Sequence, residues 1–345
     1  MSLRLLWMLI IALAAFGVVM LLGLLVARVL RDRLVERRNR QRAEIARALL
    51  LTVQNKDARG LGRYGHKDLL VAEAAQDIAD IIRGPELARM KAVLAAHGLG
   101  ERLIRRMSHG RKRQRMVAAE TLALLPGEAT VAALNAARDD PVCEIRLAAL
   151  FSLMELGEAP TIAQVLETMG SGVWSQSLLV TELLRRLAPD HEAELAAQLS
   201  RTDQPSTVQV MLLEAVGGAG EFEMLSSVVA QARDSDPAVR AAAVRAMGRL
   251  AHPMVSPNID RALEDSDPGV RRDAVIAAHS AALHELAPAL GRRLNDRIWD
   301  VRHAAAQALA DLGEPGRAAL RGVFAQASKG RRREIKLALK GPRPW

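Results

Sequence analysis

A single cysteine, Cys143, stands in 345 residues, which excludes an intrachain disulfide and any site built from several thiolates. It is read as a small core residue. Aromatic residues make up only 3% of a chain that is 50% hydrophobic. The apolar mass is therefore alanine, leucine and valine, small or helix-favouring side chains that let helices approach closely, and an all-α chain follows. The eight histidines include no pair at i and i+4 with an acidic neighbour, the arrangement a zinc-binding helix needs. Gly60, Gly62 and Gly65 spell a GxGxxG pattern, but it follows no strand pattern and opens no βαβ unit. No P-loop, nucleophile elbow or paired nucleophile and base is present. No catalytic residue, metal or cofactor is expected, and the chain is not expected to be an enzyme.

The net charge of +9 and a pI near 10.5 would ordinarily point to nucleic acid. The distribution argues otherwise. The balance is +6 over residues 1–47, +7 over 48–115, −10 over 116–327 and +6 over 328–345. The long acidic part lacks the cations whose counterion release drives binding to a phosphate backbone, so nucleic acid is disfavoured.

From Leu5 to Ala27 run 23 residues without a charge, about 34 Å of helix and enough to cross a bilayer core. Arg4 precedes the run, whereas Arg28, Arg31, Arg33, Arg37, Arg38, Arg40, Arg42 and Arg47 follow it. The positive-inside rule places the following residues in the cytoplasm. A cleaved signal peptide would have a shorter apolar region with its positive charge in front. Residues 1–30 are therefore expected to be a single-pass anchor with its N-terminus outside, in the inner membrane if the chain is bacterial. Leu30, Leu34, Ile45 and Leu49 carry a sparse apolar pattern into a charged stalk. Residues 31–110 read as a basic juxtamembrane stalk and linker that can include degenerate helical pairs, ending in the cationic run Arg105 to Arg115.

A period then sets in. Similar octets begin at Arg115, Arg146, Ser177, Val208, Arg240, Arg271, Arg302 and Arg333, with steps of 31 or 32 residues. Such self-similarity is the signature of a helical solenoid. Two units are complete, DSDPAVRAAAVRAMG from Asp234 to Gly248 and DSDPGVRRDAVIAA from Asp265 to Ala278. Asp236 and Asp267 cap helices that start with Pro237 and Pro268, where a missing N–H costs nothing.

These units resemble HEAT repeats of the short phycobilisome-lyase type. The resemblance implies a right-handed α-solenoid of about seven helical hairpins of ~31 residues over 111–345, with a basic cap; the uncharged run adds one transmembrane helix before it. It also implies an inter-repeat ladder of Arg146, Arg240, Arg271 and Arg302 with turn aspartates, Asp236 and Asp267 among them. In HEAT repeats the second helix of each pair lines the concave surface, which makes Arg245, Arg249, Arg272, His303 and Gln307 the expected groove-facing positions. Trp299 replaces the helix-starting proline, and Trp174 stands at the same place 31 residues before Pro205. Each tryptophan either fills the gap left by proline or, if exposed, anchors a partner.

The expected function is a scaffold that binds a protein partner of a membrane-associated complex at the cytoplasmic face of the membrane, in its narrowest form an accessory subunit of envelope or exopolysaccharide synthesis. A module that reads anionic lipid through its basic ends is the alternative. The resemblance also brings bilin lyases and a class of DNA glycosylases into view. The acidic repeats, one cysteine and one tyrosine fit neither.

Overall fold

The computed structural model describes residues 3–55, 59–169, 178–201, 203–216 and 224–339. Among them every regular element is a helix, twenty of them α-helical. They form two compact all-α units, residues 1–158 and 159–345.

The first unit begins with α1 (Leu3–Asn55), a continuous helix of 53 residues, about 80 Å long. Short α2 (Arg59–Gly62) follows, then α3 (Asp68–Ala79), α4 (Gly84–Ala96), α5 (Leu99–His109), α6 (Lys112–Leu122), α7 (Glu128–Ala136) and α8 (Cys143–Glu155). Among the residues with described side chains, no helix is long and apolar enough to cross a membrane. Much of the uncharged run, residues 5–7, 9–15, 18, 19 and 27, has side chains outside the described set, which leaves its longest contiguous described stretch at 20–26.

The segment 31–110, expected as a helical stalk and linker that can include degenerate helical pairs, consists of packed helices for most of its length. Leu30 and Leu34 are exposed, but Ile45, Leu49 and Val53 are buried with Val71, Ala75 and Ile78 of α3. Spacing of four residues puts Ile45, Leu49 and Val53 on one face of α1, so the last three turns of that helix belong to the core. Arg38 reaches Glu73 at 2.6 Å and Arg42 pairs with Asp77, fixing α1 on α3.

The second unit comprises α9 (Ile162–Met169), α10 (Leu178–Leu187), α11 (Glu192–Leu199), α12 (Ser206–Ala215), α13 (Leu225–Gln231), α14 (Pro237–Leu250), α15 (Ser256–Ala262), α16 (Pro268–Ser280), α17 (Ala287–Arg293), α18 (Trp299–Asp311), α19 (Gly313–Gln326) and α20 (Lys329–Ala338). The longer helices α12, α14, α16 and α18 pack on one another in sequence. Their buried positions are mostly small: Ala242, Ala243 and Ala246 in α14, Ala274, Ala277 and Ala278 in α16, Ala304, Ala305 and Ala308 in α18. Gly248 marks the closest approach, because a Cβ there would meet the Ala277 Cα at 2.8 Å. Low aromatic content and tight helix spacing are thus the same fact seen at two levels.

Candidate partner-binding surface

One edge of the second unit is organised by arginines that tie each turn to the next. The Arg240 guanidinium donates to both carboxylate oxygens of Asp265, 25 residues on, at 2.9 and 2.8 Å, and to the carbonyls of Asp234 and Ser235 in its own turn. Arg271 repeats this with Asp296 at 2.8 and 2.9 Å and with the carbonyls of Asp265 and Ser266. Arg302 donates to the Asp296 and Arg297 carbonyls, and Arg146, in the first unit, to the Asp140 carbonyl. Two parallel N–H···O bonds suit the planar guanidinium and a carboxylate, and five donors allow it to hold backbone as well. Burial pushes Asp265 and Asp296 upward, but the guanidinium hydrogen bonds, the backbone N–H groups of Asp267 and Ile298, and the nearby arginine charge outweigh it. Both carboxyls sit below their ordinary value.

Asp236 and Asp267 cap helices, as their position before proline requires, but they are not the ladder carboxylates. Asp236 accepts from the Ala238 N–H at 2.8 Å, and Asp267 from those of Gly269 and Val270. Asp236 also accepts from the Ser206 hydroxyl of the preceding repeat, but the bidentate bonds of Arg240 and Arg271 go to other carboxylates. The ladder carboxylates stand two residues earlier, at Asp265 and Asp296, with Asp140 in the first unit paired to Arg115. The sequence carried that signal, since Asp203, Asp234, Asp265 and Asp296 are spaced by 31. The same frame corrects one alignment: the residue four after Pro205, equivalent to Arg240 after Asp236, is Gln209 rather than Val208. Gln209 is buried and donates to the Arg201 carbonyl.

The expected groove arginines form an ion network across three helices. Arg245 of α14 reaches Glu214 of α12 at 2.7 and 2.5 Å and also pairs with Asp273 of α16. Arg249 donates to Glu214 at 3.0 Å and to the carbonyls of Leu213 and Val216. Arg272 lies against Asp273 at 3.0 Å. Burial lowers Arg249 below the usual guanidinium value. For Arg245 burial is outweighed by Glu214 and Asp273, and its value rises. Glu214 and Arg245 occupy equivalent positions of neighbouring repeats, and so does Gln307 of α18, but Gln307 is fully buried. Both α19 and α20 pack on α18, so its equivalent face is interior, and Gln307 is a core residue rather than a groove residue.

Trp299 is the first residue of α18 and is 53% exposed, so it does not fill a gap left by proline. Its indole stacks on the His303 ring, centroid to centroid 4.6 Å at 20°, an i, i+4 pairing on one helix face. Ile298 beside it is 41% exposed. Ile298 also lines a cleft of about 690 Å³ between successive turns, whose walls include Pro268, Arg271, Arg292 and Arg297. Trp174 lies outside the described residues. Cys143 is buried, and burial pushes its thiol up, away from the reactive thiolate. Among the described residues, no group of three or more His, Cys, Asp and Glu could hold a metal ion.

Comparison with known proteins agrees with this geometry over the second unit. The family model described as HEAT repeats matches residues 192–278, 225–310 and 255–340, together a little under half of the chain. No curated protein matches. Among solved structures, an engineered protein is 18% identical, with 86% of this chain and 87% of that one covered and a TM-score of 0.38. The complex of CpcE and CpcF of phycocyanin lyase from Nostoc sp. PCC7120 is 18% identical, covering 78% of this chain and 93% of that one, TM-score 0.29. A Kap121p mutant is 12% identical, covering 88% of this chain and 44% of that one, TM-score 0.45. Residues 192–340 thus match HEAT repeats, and among the described residues of that span Arg240 with Asp265 and Arg271 with Asp296 join successive turns.

Proposed function

We propose that this chain is a membrane-anchored HEAT-repeat scaffold that captures a protein partner along the turn edge of its second unit, at the cytoplasmic face of the membrane. The observation that carries the reading is the exposed Ile298 and Trp299 beside a polar cleft. Ile298 and Trp299 are adjacent rather than scattered, and interface hot spots favour Trp and Arg. Two features support the anchor: the uncharged run from Leu5 to Ala27 followed by eight arginines, and the exposure of Phe16, Met20, Leu21, Leu22, Leu24 and Leu25 on α1. Tethering raises the effective concentration of a partner without a tight interface.

The test is crosslinking in intact cells followed by detergent extraction of the tagged full chain and mass spectrometry, with Trp299→Ala plus Ile298→Ser alongside. A protein recovered by the parent chain and reduced at least about tenfold in the variant supports the edge as the binding surface. Equal recovery by both sinks it. The narrower reading, an accessory subunit of envelope or exopolysaccharide synthesis, rests on the combination of anchor and scaffold; it predicts a synthase component among the recovered proteins.

A further inference from the structure

The cationic run at Arg105 to Arg115 takes no part in the partner edge, yet it forms a built site. A cleft of about 460 Å³ at the turn between α5 and α6 is lined by Arg102, Arg105, Arg106, His109, Gln114 and one carboxylate, Asp68. Asp68 is buried and already engaged, by Arg102 at 2.7 Å and by Arg106 at 3.6 Å. The Nη2 of Arg102 is buried without a hydrogen-bond partner among the described residues, while Arg105 and His109 are exposed. Gly110 permits the turn, since a Cβ there would stand 2.3 Å from the Arg106 carbonyl oxygen and 2.9 Å from the Gln114 Cβ. The result is a concave surface with surplus guanidinium donors and no spare carboxylate, the chemistry that recognises phosphate.

Its height along the molecule identifies the phosphate. Arg38 to Glu73 and Arg42 to Asp77 join positions 35 residues apart, and Arg42 also donates to the Glu73 carbonyl, 31 residues on, so α1 and α3 run parallel. Asp68, five residues before Glu73, is therefore level with the stretch from Arg33 to Arg37. That stretch lies six to ten residues past Ala27, about 9–15 Å of helix. Headgroups occupy roughly the first 5–8 Å beyond the hydrocarbon core, so the cleft lies just outside them, within reach of extended arginine side chains. Arg113 of α6 reaches Glu73 at 3.2 Å and holds the start of α6 near the same level. A second basic cleft, lined by Arg40, Arg47, Arg63 and Tyr64, begins 13 residues past Ala27. At about 20 Å it is too far out to meet a headgroup.

We infer that the cleft formed by Arg102, Arg105, Arg106, His109 and Gln114 binds the phosphate of an anionic phospholipid headgroup; the inference rests on the anchor reading of α1. It fixes the rotation of the first unit against the bilayer.

The experiment uses the full chain in nanodiscs of phosphatidylcholine with or without phosphatidylglycerol. A fluorophore is placed at Ser108→Cys in a Cys143→Ser background, the native thiol being buried at 3% exposure. Quencher-bearing headgroups are expected to quench this label, more strongly as the phosphatidylglycerol fraction rises. Arg105→Glu is expected to lower the preference for phosphatidylglycerol at least about fivefold, the effect of roughly one cation near an anionic surface, with the unfolding temperature unchanged. A chain retained in the disc but unquenched, or quenched alike in both lipids and in the variant, overturns the site alone. Excess inorganic phosphate at constant ionic strength is expected to compete for the same donors and weaken the lipid preference; a preference untouched by it overturns the phosphate assignment. A chain that alkaline washing strips from membranes overturns the anchor reading and the site with it.

Discussion

Arg271 and Asp296 lie 25 residues apart in sequence and meet side by side, Nε to Oδ2 at 2.8 Å and Nη2 to Oδ1 at 2.9 Å, while the third nitrogen of the same guanidinium holds two carbonyls of its own turn. One side chain thereby ties two repeats together. Its side chain is 13% exposed and that of Asp296 4%, so removing either partner strands a charge out of water. Arg271→Ala is expected to destabilise the second unit by about 2–4 kcal/mol, slightly below the usual cost of breaking a fully buried pair. Urea denaturation of the full chain in detergent measures it. Arg201→Ala, which removes an exposed local pair with Asp203, is the control and should leave the midpoint unchanged.

Acid titration tests the same ladder. Asp265 and Asp296 are held below their ordinary carboxyl value by arginine. A group with a depressed folded-state pKa binds a proton more readily when unfolded, so its contribution is complete above the unfolded value and is lost as pH falls through the folded one. The second unit should thus hold its stability down to about pH 4 and lose it below, with the unfolded carboxylate near ~3.9 as the upper limit of the window. Asp296→Asn is expected to be less stable at neutral pH and to show a shallower loss in acid. Equal slopes for parent and variant in thermal unfolding from about pH 2 to 6 would show that the pair contributes nothing.

The sequence made the period legible because every repeat must solve the same turn. A capping aspartate, a proline at the first helical position and an arginine four residues after the cap recur where the backbone recurs, as at Asp236, Pro237 and Arg240. The carboxylate that receives the arginine was harder to see, because the DSDP turn offers two aspartates and only geometry tells the cap from the partner. Helical pairs upstream were legible, but the packing of the end of α1 into their core was hidden for a different reason. Ile45, Leu49 and Val53 are spaced correctly for a core face, but Arg42, Arg47 and the apolar run before them dominate the composition, and no repeat motif marks the helix. Gln307 fails from sequence because its repeat equivalents Glu214 and Arg245 form a surface network; burial of the same position depends on α19 and α20, which carry no trace of it.

Left-handed backbone at the ends of the long helices recurs with the same period and gives an independent check. Ala251, Ala282 and Gly313 follow α14, α16 and α18 at steps of 31, with φ of 50°, 50° and 69°. Only the third is the residue that adopts this conformation freely. Alanine there costs roughly 1–2 kcal/mol, partly offset by the greater chain entropy that glycine loses on folding. Ala251→Gly and Ala282→Gly are each expected to stabilise the second unit by about 0.5–1 kcal/mol, and Gly313→Ala to destabilise it by a similar amount. Unchanged or lowered denaturation midpoints for both alanine replacements would remove the strain argument.

Charge swapping across the helix face separates a network from a set of pairs. Arg245 serves Glu214 on one side and Asp273 on the other, and Asp273 is 3% exposed. Arg245→Glu places a third carboxylate between them and is expected to cost about 2–3 kcal/mol, below the buried-pair value because Arg245 itself is 36% exposed and solvent screens it. If Glu214 and Arg245 were an isolated pair, adding Glu214→Arg would restore stability. In the network it cannot do so fully, because the carboxylate introduced in place of the guanidinium still faces Asp273 of α16, whose remaining partner is Arg272 at 3.0 Å. Adding Asp273→Asn as well removes that repulsion and should recover part of the remaining loss, the arginine introduced at position 214 still facing Arg249, which pairs with Glu214 at 3.0 Å in the parent chain. Full rescue by the two-residue swap would mean that Asp273 is served by Arg272 alone, and that the three helices are joined by packing of their small residues rather than by charge.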